Sequence, residues 1–216
     1  MNIFEIIGSG YDSNILVIPG EKPTIIDTGT GMHKNKVLSQ ISEYINLNDI
    51  SQIILTHEHF DHAGGVKQLF ESTNEKAIVI AHKDAADKIE KGESMFARIL
   101  GGTMPQMPVD QKLSGGEILQ IGDKDFEVTS TPGHTPGCIC LYSKETKTLF
   151  SGDTVFANGS FGRTDFPGGS SAELKESIKK LSKLDVKRLY PGHEMIVEKN
   201  GNHHIQLALK NINYFG

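Results

Sequence analysis

The stretch "THEHFDHAGG", residues 56–65, holds three histidines, a glutamate and an aspartate directly after the apolar run "SQIIL". In "HEHFDH", His57, His59, Asp61 and His62 fall at i, i+2, i+4 and i+5. A spacing of two suits extended or turning backbone, from which His57 and His59 project to one side. Asp61 and His62 would then project from the first turn of a following helix. Imidazole nitrogen and carboxylate oxygen are ligands for zinc, iron or manganese. Four such groups in six residues are enough for two cations rather than one. Left buried and unpaired they would cost several kcal/mol, and a bound metal removes that cost. A solvated strand-to-helix turn would explain any one of them, but not the group. Glu58 and Phe60 point away from the histidine pair on this reading and are structural.

Three more candidate ligands follow one form: apolar strand, small residues, one ligand-type side chain. "STPGHTPG" places His134 after "FEVTS", "TLFSGDT" places Asp153, and "RLYPGHE" places His193. Strand-end loops on a rigid sheet are a usual location for sites. His33, His82, His203 and His204 lack this context and read as surface or local packing.

Elements that would position these groups can be read from hydrophobic periodicity. "IFEII", "NILVIPG" and "TIID" read as strands, and residues 34–45 as a helix with Val37, Ile41 and Ile45 on one face. "SQIILT" is a strand, "DHAGGVKQLFES" a helix, "KAIVIAH" a strand and "KDAADKIEK" a helix. "GESMFARILGGTMPQMPVDQKL" is irregular and reads as a loop, lid or connector. "EILQIG", "DFEVTSTP", "CICLYS" and "TLFSGD" read as strands at short intervals. "SAELKESIKKLSKL" is a helix with Ser170 or Ser171 as N-cap; "VKRLYPGHE" is a last strand and "HHIQLALKNINYF" a terminal helix. The two ends look alike, which fits an internal duplication. Without a long linker, residues 1–216 read as one domain.

Composition narrows the classes. With 216 residues, 37% hydrophobic and 23% charged, the chain has the balance of a globular protein. A formal charge of −5 argues against broad nucleic-acid binding. No apolar run reaches the roughly 20 residues of a spanning helix, and the N-terminus does not read as a signal peptide. A cytoplasmic protein is expected, with Cys138 and Cys140 as free thiols. Oligomeric state is left open.

"THEHFDH", "PGHTPG", "SGDT" and "PGHE", in this order, resemble the metallo-β-lactamase-fold hydrolases. The likeness runs from "NILVI" and "TIIDTG" to "YPGHE". "FANGSFGRTDFPGG" further resembles the short glyoxalase II-related subgroup, similar to hydroxyacylglutathione hydrolases but without their extra helical substrate domain. The resemblance implies an α+β fold, a four-layer αββα sandwich of two mixed sheets flanked by helices. It implies a first metal on His57, His59 and His134, a second on Asp61, His62 and His193, and Asp153 bridging both. Asp27 of "IDTG" would orient a ligand, and Arg163 and Asp165 would lie beside the site and pair there, as a structural ion pair or as a substrate contact. Two divalent ions are implied, zinc first, with iron or manganese as alternatives. Such a pair can hold a hydroxide at neutral pH that attacks a carbonyl, with Asp61 taking or orienting the proton. A thioester suits this chemistry because thiolate leaves without a strong general acid. The expected function is therefore thioester hydrolysis on a small-molecule S-acyl thiol ester such as hydroxyacylglutathione.

The rivals share the ligands. A mononuclear-iron persulfide dioxygenase would use the equivalents of His57, His134 and Asp153, and a lactonase, phosphodiesterase or metallo-nuclease would share the cluster. A diiron electron-transfer protein would carry glutamate where His59 stands. A non-catalytic metal-binding protein is the reading outside enzymology.

Overall fold

The computed structural model describes residues 1–215 and divides into two compact units. The first comprises Met1–Leu113 and Gln120–Lys124, and the second Ser114–Leu119 and the chain from Asp125 onward.

The first unit is built on a six-stranded sheet of β1 (Phe4–Ile6), β2 (Ile15–Ile18), β3 (Thr24–Ile26), β4 (Gln52–Ile54), β5 (Ile78–His82) and β6 (Gln111–Leu113), in that order. The first three strands pair antiparallel, and β3 to β6 pair parallel. Every residue of β2, β3 and β4 is buried, which explains their continuous apolar runs: a strand covered on both faces does not alternate. Around this sheet lie α1 (Lys34–Ser42), α2 (Phe60–Ala63), α3 (Val66–Ser72), α4 (Lys83–Lys91) and α5 (Met95–Ile99). Ile41, Val66, Leu69, Ala85, Ala86 and Ile89 from these helices join the sheet residues in one apolar cluster. His82 caps α4, its Nδ1 accepting from the Asp84 N–H at 3.3 Å, and Gly92 ends that helix in the left-handed region at φ 65°.

The second unit carries most of a five-stranded sheet in the order β11-β10-β9-β8-β7, of which Gln120, Ile121 and Lys124 fall in the first unit. Its strands are β7 (Ile118–Ile121), β8 (Lys124–Ser130), β9 (Ile139–Ser143), β10 (Thr148–Gly152) and β11 (Arg188–Pro191). The pairs β8–β9 and β9–β10 are antiparallel and β10–β11 parallel. Helices α6 (Ser171–Leu181) and α7 (Gly201–Phe215) complete it. Leu174, Ile178 and Leu181 of α6 and Ile205, Ala208 and Ile212 of α7 pack with Cys140, Tyr142 and Leu149. Ser170 is the N-cap of α6, accepting from the Glu173 N–H at 3.3 Å. The expected class, α+β with two mixed sheets and flanking helices, is what the structure shows.

Two local expectations change. The helix read over "DHAGGVKQLFES" is two helices, α2 and α3, broken at Gly64–Gly65. The break lets the chain press on the loop after β3. The Gly65 N–H donates to the Gly29 carbonyl at 2.9 Å, and a Cβ on Gly65 would stand 2.3 Å from the Thr28 carbonyl oxygen. The segment read as irregular contains α5, capped by Ser94 on the Ala97 N–H at 3.1 Å, and the edge strand β6. Both are too short to show a period.

Cys138 and Cys140 are buried free thiols, as expected. Burial pushes the Cys140 thiol up to about 11, against hydrogen bonds with Thr131 and Thr154 that pull it down.

Two outcomes follow from this packing. Gly65→Ala should lower unfolding free energy by about 1–3 kcal/mol, the usual range for forcing a methyl into a filled site, read as a reduced urea midpoint. Native protein at pH 8 should resist iodoacetamide at both cysteines, while urea-denatured protein takes up two equivalents in a mass measurement. Rapid native labelling would contradict the burial.

Candidate metal centre

In the first unit the ligand-type residues leave the end of β4. His57 sits in the turn, and His59, extended at φ −64° and ψ 148°, is the residue before α2. Asp61 and His62 lie in the single turn of α2. The change from extended to helical backbone inferred from the spacing is therefore present. It brings four side chains together. His57 Nε2 and His59 Nδ1 are 3.2 Å apart, the His57 and His62 rings have centroids 4.1 Å apart, and His62 Nε2 stands 3.7 Å from Asp61 Oδ2. His57 and His62 are fully buried, whereas His59 and Asp61 keep partial access to solvent.

Asp27 organises this cluster. It is buried and left-handed at φ 59°, a conformation that costs a non-glycine residue energy. Its Oδ1 accepts the Thr56 N–H at 2.8 Å, and its Oδ2 accepts the Thr56 hydroxyl and His62 Nδ1, each at 2.8 Å. A carboxylate only accepts, so the His62 proton lies on Nδ1 and the Nε2 lone pair is turned away from Asp27. The Thr56 hydroxyl, donating to Asp27, is also 3.2 Å from His57 Nδ1 and orients that ring as well. The α2 backbone is tied down too: the His62 carbonyl accepts from the Thr28 N–H at 2.7 Å and the Thr28 hydroxyl at 2.8 Å, and the Asp61 carbonyl from the Ser13 N–H at 3.0 Å.

In the second unit, His134 follows β8, Asp153 follows β10 and His193 follows β11. His134 Nε2 is 3.4 Å and His193 Nε2 3.7 Å from Asp153 Oδ2. His134 Nδ1 donates to the Arg163 carbonyl at 2.6 Å, which again frees Nε2. Gly162 permits this approach, because a Cβ there would meet the Asp153 carbonyl oxygen at 2.0 Å and the His134 ring at 3.0 Å. The Gly192 N–H donates to the Gly152 carbonyl at 2.8 Å, so the loops bearing His193 and Asp153 are joined by backbone.

The spacing of these atoms fits cation ligands. Two donors about 2.1 Å from one ion lie roughly 3.0–3.4 Å apart for octahedral to tetrahedral angles. The separations of 3.2 and 3.4 Å match that span, and those of 3.7 Å are too long for a hydrogen bond.

Other candidates take different places. The Arg163 side chain pairs with Asp165, Nε to Oδ1 at 2.9 Å and a terminal nitrogen to Oδ2 at 2.5 Å, and lies 4.5 Å over the Phe166 ring. Both charged groups are exposed, at 67% and 62%, and the guanidinium holds the Asp165 carboxyl below the usual carboxylate range. Thus Arg163 orients His134 through its carbonyl rather than its charge. Glu58 is buried and paired with Lys88 at 2.6 Å, and Phe60 is buried, as the sequence implied for both. His33 bonds Asp12 at 2.8 Å, His204 accepts the Asn158 N–H at 2.8 Å, and His203 is exposed. Sequence reasoning missed Thr56 and the Arg163 carbonyl. Thr56 borders the motif, but nothing in its type announces the role, and a backbone carbonyl leaves no mark in a sequence.

Among known proteins, the Metallo-beta-lactamase superfamily matches residues 8–193. The chain is 32% identical over 205 residues to "Probable metallo-hydrolase MJ0888" of Methanocaldococcus jannaschii, covering 91% of this chain and 95% of that one. It is 30% identical over 185 residues to "Hydroxyacylglutathione hydrolase GloC" of Haemophilus influenzae, covering 83% of each. A solved structure described as TTHA1623 in a di-iron-bound form superposes with a TM-score of 0.75 at 32% identity, covering 96% of both chains. With a match running through both units and ligand-type side chains at the strand ends of each, the chain belongs to the metallo-β-lactamase superfamily.

Proposed function

We propose that the protein is a metal-dependent thioesterase of the glyoxalase II-like kind, acting on a small-molecule S-acyl thiol ester such as a hydroxyacylglutathione. Membership of the superfamily supports a metal-dependent hydrolase. The observation that carries the finer reading is the likeness to a hydroxyacylglutathione hydrolase over 83% of both chains. On this proposal the two units act as one domain. His57, His59 and His134 would hold one divalent cation, Asp61, His62 and His193 would hold a second, and Asp153 would serve both. Zinc is the first candidate for its preference for imidazole and carboxylate, with iron the alternative that the di-iron relative raises.

Cations bound there supply a water of lowered pKa and polarise the substrate carbonyl. The chain's own groups do the rest. Asp27 keeps the His62 proton on Nδ1 and, through the Thr56 hydroxyl, sets the His57 ring. The Arg163 carbonyl does the same for His134. Asp61, which keeps a solvent-accessible edge, would accept or orient the proton of the attacking water. The departing thiolate needs no protonation by a strong acid, and no nucleophilic serine or cysteine is required. Cys138 and Cys140, buried and free, fit strand packing and a reducing, cytoplasmic setting. No helix among the described residues is long and apolar enough to cross a membrane.

Three results would test this. Zinc-loaded protein should hydrolyse lactoylglutathione, and His57→Ala or Asp153→Ala should cut kcat/KM by at least about 10³-fold; retained turnover in either variant refutes the ligand assignment. Metal analysis should find two equivalents per chain, and oxygen uptake on glutathione persulfide with one iron per chain would replace the hydrolase by the dioxygenase. Asp27→Ala should weaken metal affinity by about 10–100-fold in a chelator competition.

A further inference from the structure

We infer that α5 is a specificity element for this thioesterase, and that Phe96, Met95 and Ile99 receive an apolar acyl chain beside His59. The inference rests on the proposed function and deepens it by naming the acyl class: a chain of several methylenes rather than a two-carbon one.

Phe96 lies against a candidate ligand. Its ring centroid is 5.5 Å from that of His59, with planes 35° apart. His59 is one of the two partly accessible members of the first unit's four, His57 and His62 being fully buried. Whatever reaches the cluster on the His59 side therefore passes an aromatic face. Phe96 is half-buried and leans on the apolar cluster of the first unit together with Leu100, one turn on.

The rest of α5 is oddly apolar for a surface turn. Met95 is 49% exposed and Ile99 66%, at i and i+4 on the same face. Single exposed apolar residues need no explanation. Two on one five-residue helix, continuous with a ring that touches a candidate ligand, form a patch of the kind that marks recognition.

The helix is also fixed in place. Gly102 rests on the Phe60 ring, where a Cβ would come within 2.5 Å of Cζ, and its N–H donates to the Ala97 carbonyl at 2.7 Å. Phe60 is the first residue of α2, the helix that carries Asp61 and His62. The apolar face and the ligand-type residues are thus anchored through one buried ring. Such pre-positioning favours selectivity, because a bound chain then gains contact without first ordering the helix.

The test uses zinc-loaded full-length protein and acetyl, butyryl and hexanoyl thioesters of both glutathione and coenzyme A. The wild type should prefer hexanoyl to acetyl by at least about tenfold in kcat/KM, within what methylene contacts supply. Phe96→Ala and Ile99→Ser should each lower that ratio by about fivefold or more, and Phe96→Leu should restore most of it. Ile99 is exposed, so its variant keeps the test open if Phe96→Ala folds poorly. A second readout is the affinity of metal-free protein for S-hexylglutathione relative to S-methylglutathione, by calorimetry, which should fall in the same two variants. An unchanged chain-length ratio in both variants, or a shift in preference between the two thiols instead, overturns the inference. Absence of any thioester turnover by the wild type refutes the proposed function, while the thioether affinities still decide the role of α5.

Discussion

The first unit's ligand cluster depends on one buried carboxylate. Asp27 stands at the end of β3 in a left-handed conformation, and its two oxygens accept from a backbone amide, a hydroxyl and an imidazole. Each acceptor bond to a charged oxygen is stronger than a neutral one, and together they offset the backbone strain. The consequence is directional. His62 is given one tautomer, Thr56 one rotamer, and through Thr56 the His57 ring is held. A cluster of histidines without such a partner would keep rotating rings and mixed tautomers, and its lone pairs would not converge.

The second unit reaches the same result by different means. A peptide carbonyl, that of Arg163, holds the His134 ring where Asp27 holds His62. This requires the chain at Gly162 to pass against both the Asp153 carbonyl and the imidazole, closer than any side chain allows. Gly64 and Gly65 serve the first unit likewise, letting the α2–α3 break press on the loop after β3. The glycines frequent near the motifs are thus less about turns than about contact between backbones. Substitution there displaces the neighbour that orients a ligand, even though glycine itself binds nothing.

The apolar side of the site has its own logic. Phe60, wedged between the two ligand-type residues His59 and Asp61 in sequence, turns inward and seats Gly102 on its ring. The alternation that sends ligand-type side chains one way therefore sends an anchor the other way, toward the segment that follows α5. Glu58 follows the same alternation and closes on Lys88 of α4 at 2.6 Å. One six-residue stretch therefore supplies both the ligand-type side chains and the contacts that hold Gly102 and Lys88 against it.

Much of this was legible before any coordinates. The apolar runs of β2 to β5, the periods of α1 and α6, and a serine cap at Ser170 or Ser171 are local properties, and local physics sets them. The ligand types at strand ends and the extended-then-helical course of "HEHFDH" were equally readable, because side-chain direction follows backbone period. The tertiary structure decided what depends on residues far apart in sequence. It split the helix at Gly64–Gly65, where the Thr28 carbonyl occupies the space a Cβ would need; it used the Arg163 carbonyl for His134; it made Thr56 the link between Asp27 and His57. Those outcomes turn on distances of a few tenths of an ångström between segments that no sequence period connects. The chain's letters name the donors, and only the packed backbone settles which way each lone pair faces.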